Sequence, residues 1–255
     1  QVNALCQWAY PNRIFKAAYW VGKHTYPHLH MVQLTSFGCG PDAFILDEVR
    51  MLLQRYEKNL TVLKIDDVNN IGSLQLRVRS LVESVKQEQK VRLQQPKQQE
   101  KWTTSIFEKE DKQQRTILIP YFAEGYNEFI ATLVGMAGYQ YECLPMGCQA
   151  DAEEGLQAAN NDVCYPATIV IGSILRALKS GRYDLQRTAV AITQTGGQCR
   201  ASNYYALIKN TMVKAGFADV PVISVATGKS LGNQQPGFEI PWRTLARPAL
   251  EAIFF

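Results

Sequence analysis

The sequence predicts an α/β fold in which mainly parallel sheets are covered by helices. Short runs rich in Val, Ile, Leu and Thr alternate with longer stretches whose apolar residues recur at helical spacing. This alternation occurs before residue 91 and again after residue 115, with a charge-rich stretch between the two. Strands that alternate with helices are typical of parallel sheets joined by helical crossovers. We therefore expect two Rossmann-like units.

The first unit is predicted for residues 1–90. Apolar residues such as Ile45, Val49 and Leu52 recur at intervals of three and four, as on one face of a helix. The elements of this unit are predicted as a helix at 8–23, a strand at 31–35, a helix at 41–56, a strand at 60–65 and a helix at 73–85.

Residues 91–115 are predicted as a charged linker. Lys, Glu, Asp and Gln dominate this stretch and Pro96 lies within it, a composition that is typical of a solvated connection. The second unit is predicted for residues 116–255. Its elements are predicted as strands at 116–120, 139–144, 188–193 and 220–225 and as helices at 126–137, 151–159, 165–180, 200–215 and 241–255.

Composition and charge limit the classes of function. The chain has 255 residues, 46% of them hydrophobic, and a formal net charge of +4. It lacks a dense basic block, so we expect no nucleic-acid partner. It also lacks an apolar run of about 20 residues and a leader-like N-terminus, so we expect no membrane association and a cytoplasmic location. Because the chain begins with Gln1, we expect a segment of a longer polypeptide.

Three of the six cysteines share one local setting. Cys39, Cys164 and Cys199 each lie just before a predicted helix, and Cys39 and Cys199 also follow a predicted strand. The N-terminus of a helix has unpaired N–H groups and the positive end of the helix dipole, which stabilise an anionic sulfur ligand. Ligands of α/β proteins bind at the carboxyl ends of the strands, so the three are candidates for a metal or cluster site. For any one of them taken alone, a small buried residue is the better explanation, and the matching contexts of all three favour the shared site.

Glycines and two polar residues accompany these cysteines. Glycine lets the backbone approach a bulky inorganic group and donate hydrogen bonds to it, and such bonds tune the potential of a cluster. Arg200 and Ser202 begin the helix beside Cys199 and are candidates for contacts to cluster sulfides or to an anionic ligand. The candidate cofactor-binding residues are Gly38, Gly40, Gly196, Gly197, Arg200 and Ser202.

The remaining cysteines are weaker candidates. Cys143 and Cys148, separated by four residues that include a Pro and a Gly, are possible extra ligands of a larger cluster. An unreactive thiol is the better explanation for both of them and for Cys6. No residue pattern identifies a catalytic group.

The motifs around the three candidate cysteines resemble a known family. The runs FGCGPDAFILDEV and LTVLKIDD, followed by a helix with RVRSLVES, resemble the C-terminal module of 2-hydroxyacyl-CoA dehydratase subunits. NNDVCYPATIVIGSILRAL, followed by AITQTGGQCRASNY, looks like the paired-cysteine region of the same superfamily. These motifs occur together in large activase-related proteins of the acyl-CoA dehydratases. The resemblance covers nearly the whole chain except the linker.

This resemblance implies iron–sulfur chemistry. In the dehydratase subunits three cysteines bind a four-iron, four-sulfur cluster, and the matching residues here are Cys39, Cys164 and Cys199. It also implies the handling of low-potential electrons, with an ATPase activase domain, a dehydratase component and other domains of a longer chain as partners. The sequence has no P-loop motif, so the ATPase would lie elsewhere. The FGC motif comes first here, unlike in the family, which leaves open whether Cys39 shares a site with the other two.

Two other functions stay open from the sequence. The chain is also compatible with a cluster-free structural or docking module of a larger ATPase-type activase. A third function is an α/β domain whose glycine-rich turns bind an anion such as a phosphate of CoA. Brown colour after anaerobic purification indicates the cluster, whereas ligand-induced stabilisation without iron indicates the anion site.

Overall fold

The computed structural model describes residues 9–24, 26, 29–35, 41–65, 71–91, 104–159, 163–194, 204–225 and 235–241. The chain divides into two compact units, the first formed mainly by residues 1–100 and the second mainly by residues 101–255. Each unit contains a parallel sheet. The predicted α/β fold with parallel sheets and helices is therefore confirmed.

The first unit packs its helices against a two-stranded parallel sheet. Its elements are α1 (Ala9–Lys23), β1 (Met31–Thr35), α2 (Pro41–Gln54), β2 (Leu60–Lys64) and α3 (Ile71–Val91). Met31 of β1 pairs with Leu60 of β2, and both contact the apolar cluster formed by α1 and α2. Phe15, Val49 and Leu53 are buried in this cluster.

The second unit contains a four-stranded parallel sheet in the order β4-β3-β5-β6. Its elements are α4 (Asp111–Gln114), β3 (Thr116–Ile119), α5 (Tyr126–Met136), β4 (Gln140–Cys143), α6 (Gln149–Ala158), α7 (Tyr165–Lys179), a 3-10 turn (Leu185–Arg187), β5 (Thr188–Thr193), α8 (Tyr204–Lys214) and β6 (Val222–Val225). Parallel pairs place Thr116 opposite both Gln140 and Thr188, and Val190 opposite Val222.

Apolar side chains of the second sheet alternate between two buried clusters. Leu118 and Val190 point to the face covered by α7 and α8, whereas Ile117 and Ala189 point to the face covered by α5. A parallel sheet that is covered on both faces buries successive residues of its central strands. This arrangement explains why β5 is apolar on both of its faces and does not alternate between apolar and polar residues.

The predicted linker at 91–115 is wrong for residues 104–115. This part belongs to the second unit, where Phe107 is fully buried and its carbonyl oxygen accepts a hydrogen bond from the Gly237 N–H at 2.9 Å. The Ser105 N–H donates to the Ala218 carbonyl oxygen at 2.7 Å. The abundance of charged residues predicted a solvated segment, but a single buried aromatic ring and backbone pairing are enough to anchor it.

Most predicted elements match the observed ones, with differences at their ends. The strands at 31–35 and 188–193 have the predicted bounds, and α3 extends beyond the predicted helix at both of its ends. The short helix α4 was not predicted. The predicted helix at 241–255 lies, apart from its first residue, outside the described residues.

Candidate functional site

The carboxyl edge of the second sheet contains a topological switch point. β3 connects to β4 through α5 on one face, β5 connects to β6 through α8 on the other face, and β3 and β5 are neighbours. Connections that diverge from neighbouring strands open a crevice at their carboxyl ends, where α/β proteins bind ligands. An apolar recess at this edge is lined by Ile119, Phe122, Tyr126, Ile130, Ala191, Ile192, Thr193 and Val225.

Cys164 is the N-cap residue of α7. Its backbone is extended, with φ −66° and ψ 149°, and its carbonyl oxygen accepts a hydrogen bond from the Thr168 N–H at 3.1 Å. A proline in the first turn favours this helix start, because its missing N–H would have no partner within the helix. The thiol is free and half-buried. The prediction that Cys164 stands at the head of a helix is confirmed.

Tyr204 brings the start of α8 next to Cys164. The Tyr204 hydroxyl lies 3.4 Å from Cys164 Sγ, and the Tyr204 side chain is only 5% exposed. Its ring stacks on the ring of Phe122, with centroids 6.5 Å apart and planes 17° apart. Tyr204 therefore links the start of α8 both to the N-terminus of α7 and to the segment after β3.

The segment after β3 is held by Asn127. The Asn127 side-chain oxygen accepts hydrogen bonds from the N–H groups of Phe122 at 2.7 Å and Ala123 at 3.2 Å. Its amide nitrogen donates to the Pro120 carbonyl oxygen at 2.9 Å. Asn127 is buried, so these bonds form away from competing water and fix the backbone that carries Phe122.

Tyr126 forms the outer wall of the recess. Its hydroxyl lies 2.7 Å from Thr193 Oγ1, and its ring packs edge-to-face against Phe122 at 6.0 Å. Tyr126 is 40% exposed and Phe122 is 38% exposed. The recess therefore presents aromatic edges to solvent at the end of β5.

The segment that carries Cys199 is anchored at both of its ends. After β5, the Gln194 N–H donates to the Val225 carbonyl oxygen at 3.0 Å, and Ser224 Oγ donates to the Gln194 side-chain oxygen at 2.7 Å. Tyr204 anchors the other end beside Cys164. The predicted site residues between these anchors lie outside the described residues: Gly196, Gly197, Cys199, Arg200 and Ser202.

A similar anchor occurs in the first unit. Thr35 Oγ1, at the end of β1, donates to Asp42 Oδ2 in the first turn of α2 at 3.0 Å. This bond joins the two ends of the segment 36–40. Gly38, Cys39 and Gly40 lie on that segment, outside the described residues.

Cys143 and Cys148 have different environments. Cys143 ends β4 and is half-buried, and burial is the main reason that the pKa of its thiol is raised. Cys148 is exposed at the N-cap of α6, where its Sγ accepts a hydrogen bond from Arg176 Nη1 at 3.2 Å. Arg176 also pairs with Asp151, whose carboxylate accepts the Cys148 N–H at 2.8 Å. Cys148 thus belongs to a local cap and ion pair.

The sequence did not indicate the aromatic and amide groups around Cys164. Phe122, Asn127 and Tyr204 belong to no metal-ligand motif and to no glycine-rich turn, so the sequence does not predict them as site residues. The available signal was their position, since each lies shortly after a strand or in the first turn of a helix. Their mutual contacts join separate parts of the chain and have no local pattern.

In the part of the chain that the structure describes, no three His, Cys, Asp or Glu side chains are grouped so that they could hold a metal ion. Cys164 is the predicted metal ligand that lies within that part. Its free, half-buried thiol at a helix N-terminus fits the requirements of a thiolate ligand. The chemistry of the donor therefore agrees with the cluster prediction for this one position.

Within the same described ranges, no helix is both long enough and apolar enough to cross a bilayer. Comparison with protein-family models, with curated proteins and with solved structures gives no match for this chain.

Proposed function

We propose that this chain binds an iron–sulfur cluster, of the four-iron, four-sulfur type, through Cys164 and Cys199, with Cys39 as the third candidate ligand for this cluster or for a separate one, and handles low-potential electrons. The observation that carries the proposal is the placement of the free Cys164 thiol at the N-terminus of α7, beside the start of α8. Cys199 lies on the segment that leads from β5 to α8, five residues before Tyr204. In the sequence, these two proposed ligands each precede a helix of the second unit, α7 and α8.

The residues around Cys164 would support a thiolate at this position. The first-turn N–H groups of a helix have no partner within the helix, and the helix dipole places positive potential at the same end. The sulfur is half-buried and lies beside the buried Tyr204 side chain, which limits its access to water and strengthens these electrostatic contributions. When bound, the cluster would supply one-electron redox chemistry at low potential.

The proposed location and partners of the chain are those that the family resemblance implies. In this proposal the chain acts in the cytoplasm as a segment of a longer polypeptide. Its partners are the other domains of that polypeptide, an ATPase activase domain and a 2-hydroxyacyl-CoA dehydratase component. The chain passes on electrons, and the turnover of a substrate belongs to a partner.

The experiment is anaerobic reconstitution followed by measurement of bound iron and acid-labile sulfide. Wild type is compared with Cys39→Ala, Cys164→Ala and Cys199→Ala, and Cys148→Ala serves as the control because Cys148 belongs to the cap of α6. We expect stoichiometric iron in wild type and Cys148→Ala, and a marked loss for Cys164→Ala and Cys199→Ala.

The Cys39→Ala variant tests whether Cys39 binds the same cluster as Cys164 and Cys199. A loss of iron equal to that of Cys164→Ala means that Cys39 serves the same cluster, whereas partial retention means that it serves a separate one. Absence of iron from wild type, or equal iron in every variant, would contradict the proposal and favour a cluster-free docking module.

A second candidate function is the binding of an anionic, CoA-type ligand at the switch point. It is favoured by the exposed aromatic rings of Phe122 and Tyr126, which line a small apolar recess at the end of β5. Helix N-termini and glycine-rich turns bind phosphates, and aromatic rings stack on planar groups. A rise in the melting temperature on addition of CoA to iron-free protein, lost in Phe122→Ala, would support it.

A further inference from the structure

Tyr204 is buried in the core of the second unit and also makes a polar contact with Cys164. Its hydroxyl lies 3.4 Å from Cys164 Sγ, while the side chain is 5% exposed at the first position of α8. A tyrosine hydroxyl at a buried position usually has a hydrogen-bond partner, and here a sulfur atom that the cluster proposal assigns as a ligand lies within hydrogen-bond distance.

The Tyr204 ring, which carries the hydroxyl, packs against a ring that is itself held in place. The ring stacks nearly parallel on Phe122, and the Phe122 backbone N–H donates to the buried Asn127 side chain at 2.7 Å. A donor held in place in this way loses little side-chain freedom when it forms a hydrogen bond. The hydroxyl is therefore oriented before any ligand binds.

The direction of the hydrogen bond depends on the state of the sulfur. In the free thiol, either the hydroxyl or the S–H group can donate. A cysteine sulfur that ligates a metal is a thiolate and carries no proton. In the metal-bound state only the Tyr204 hydroxyl can donate.

We propose that Tyr204 is a positioning residue, whose hydroxyl holds the Cys164 sulfur and tunes the potential of the group bound there. This inference rests on the proposed function for its redox part. Hydrogen bonds to the sulfurs are among the protein's means of setting the potential of a cluster. A donor stabilises the reduced state, which has one more negative charge, so loss of the hydroxyl makes the potential more negative.

Tyr205 offers a matched control. It is the next residue of α8, is equally buried at 5% exposed, and its hydroxyl accepts a hydrogen bond from Lys209 Nζ at 3.3 Å. Tyr204→Phe and Tyr205→Phe each remove one hydroxyl and keep a buried ring. A difference between the two variants reports the contact with Cys164 and not the general loss of a polar group in α8.

The first measurement uses metal-free protein. Alkylation by a maleimide is followed for each cysteine by peptide mass spectrometry, with the exposed Cys148 as the internal reference. We expect Cys164 to react about fivefold faster in Tyr204→Phe, the factor that corresponds to one ordinary hydrogen bond, because the sulfur is free to turn toward solvent. Tyr205→Phe should react as wild type does.

The second measurement uses reconstituted protein. Redox titration followed by electron paramagnetic resonance should give a more negative midpoint potential for Tyr204→Phe and an unchanged one for Tyr205→Phe. Iron affinity should fall about tenfold or more, as for other partners of metal ligands. Thermal unfolding of both variants verifies that the fold is retained.

The two measurements separate the two claims. If wild type binds no iron but Cys164 alkylation rises only in Tyr204→Phe, the cluster proposal fails and Tyr204 still holds the thiol. If alkylation is the same in wild type and both variants, the inference is overturned. Equal midpoint potentials in reconstituted Tyr204→Phe and Tyr205→Phe would overturn it as well.

Discussion

The two units of this protein use the same kind of parallel pairing but enclose their sheets to different degrees. In the second unit β5 is buried along nearly its whole length, between α5 on one face and α7 and α8 on the other. In the first unit Gln33 and Thr35 of β1 are buried, whereas Val32 and Leu34, which point to the opposite face, are 43% and 62% exposed. Parallel sheets normally have both faces covered.

The difference shows that helices on both faces of a sheet are needed to hold side chains in fixed positions at its carboxyl edge. A sheet covered on both faces can hold groups at its carboxyl edge in fixed positions, as with Tyr204, which stacks on Phe122 and lies beside Cys164. A two-stranded sheet has little stability of its own, and it depends here on the cluster between α1 and α2. We therefore expect the free energy of unfolding of the first unit to be smaller than that of the second.

The largest effect is expected when a buried leucine is replaced by alanine in the core of each unit. Leu175 of α7 and Leu53 of α2 are matched, since both are leucines in helices and at most 1% exposed. We expect Leu175→Ala to lower the free energy of unfolding of the second unit by about 3–5 kcal/mol, because a dense core leaves a cavity. We expect Leu53→Ala to cost the first unit about 2–3 kcal/mol, because its smaller core can relax around the gap.

Hydrogen exchange detected by mass spectrometry during denaturant titration measures the two units separately. Each variant should change protection in its own unit and leave the other as in wild type. A larger cost in the first unit than in the second would contradict the comparison.

A smaller effect is expected where α6 crosses α7. A Cβ added at Gly172 would clash with the backbone carbonyl of Asp151, which cannot move without displacing α6. We expect Gly172→Ala to cost the second unit about 1–3 kcal/mol despite the better helix propensity of alanine. The measurement is chemical denaturation followed by circular dichroism.

Gly135→Ala in α5 is the control for this substitution. There the added Cβ would meet only the Tyr141 side chain, which is 42% exposed and able to move. This variant should be close to wild type in stability. If both variants unfold alike, then close backbone packing of α6 on α7 is not important for the second unit.

The smallest effect concerns pH. Burial alone would raise the pKa of the Asp151 carboxyl, but hydrogen bonds from the Cys148 N–H and from Arg176 outweigh it, and the net pKa is lowered. A carboxyl whose pKa is lower in the folded state stabilises the fold above its unfolded pKa of about 3.9, and this contribution is lost as the pH falls through the folded pKa. We therefore expect the free energy of unfolding of the second unit to decrease as the pH falls from about 5 through the folded pKa of this group.

Asp151→Asn removes the titrating group. The variant should be less stable than wild type at pH 7, and the difference should shrink as the pH is lowered, when measured by urea denaturation across this range. A difference that is independent of pH would show that the contribution of Asp151 is not electrostatic.

Much of the fold could be predicted because periodicity is local. β1 and β5 were predicted with their observed bounds, since a short apolar run between polar turns is visible in the sequence itself. Errors occurred where composition was misleading. Residues 104–115 were expected in a linker because charged residues dominate there, yet the buried Phe107 ring attaches them to the second unit.

The candidate site could be predicted only in part. The position of Cys164 at a helix start follows from the sequence around it, and the structure agrees. The neighbours Tyr204, Phe122 and Asn127 could not be found in this way. Their role arises from contacts across three separate connections of the sheet, which local patterns do not record.

By itself, the sequence determined the kinds of element, their order and the parallel α/β character, because side-chain periodicity distinguishes strands from helices over a few residues. The tertiary structure alone decided the strand order β4-β3-β5-β6, the place of its switch point and the groups that surround Cys164. These properties depend on which face of the sheet each helix covers. That choice is made by the burial of apolar surface over the whole unit, which no short stretch of sequence contains.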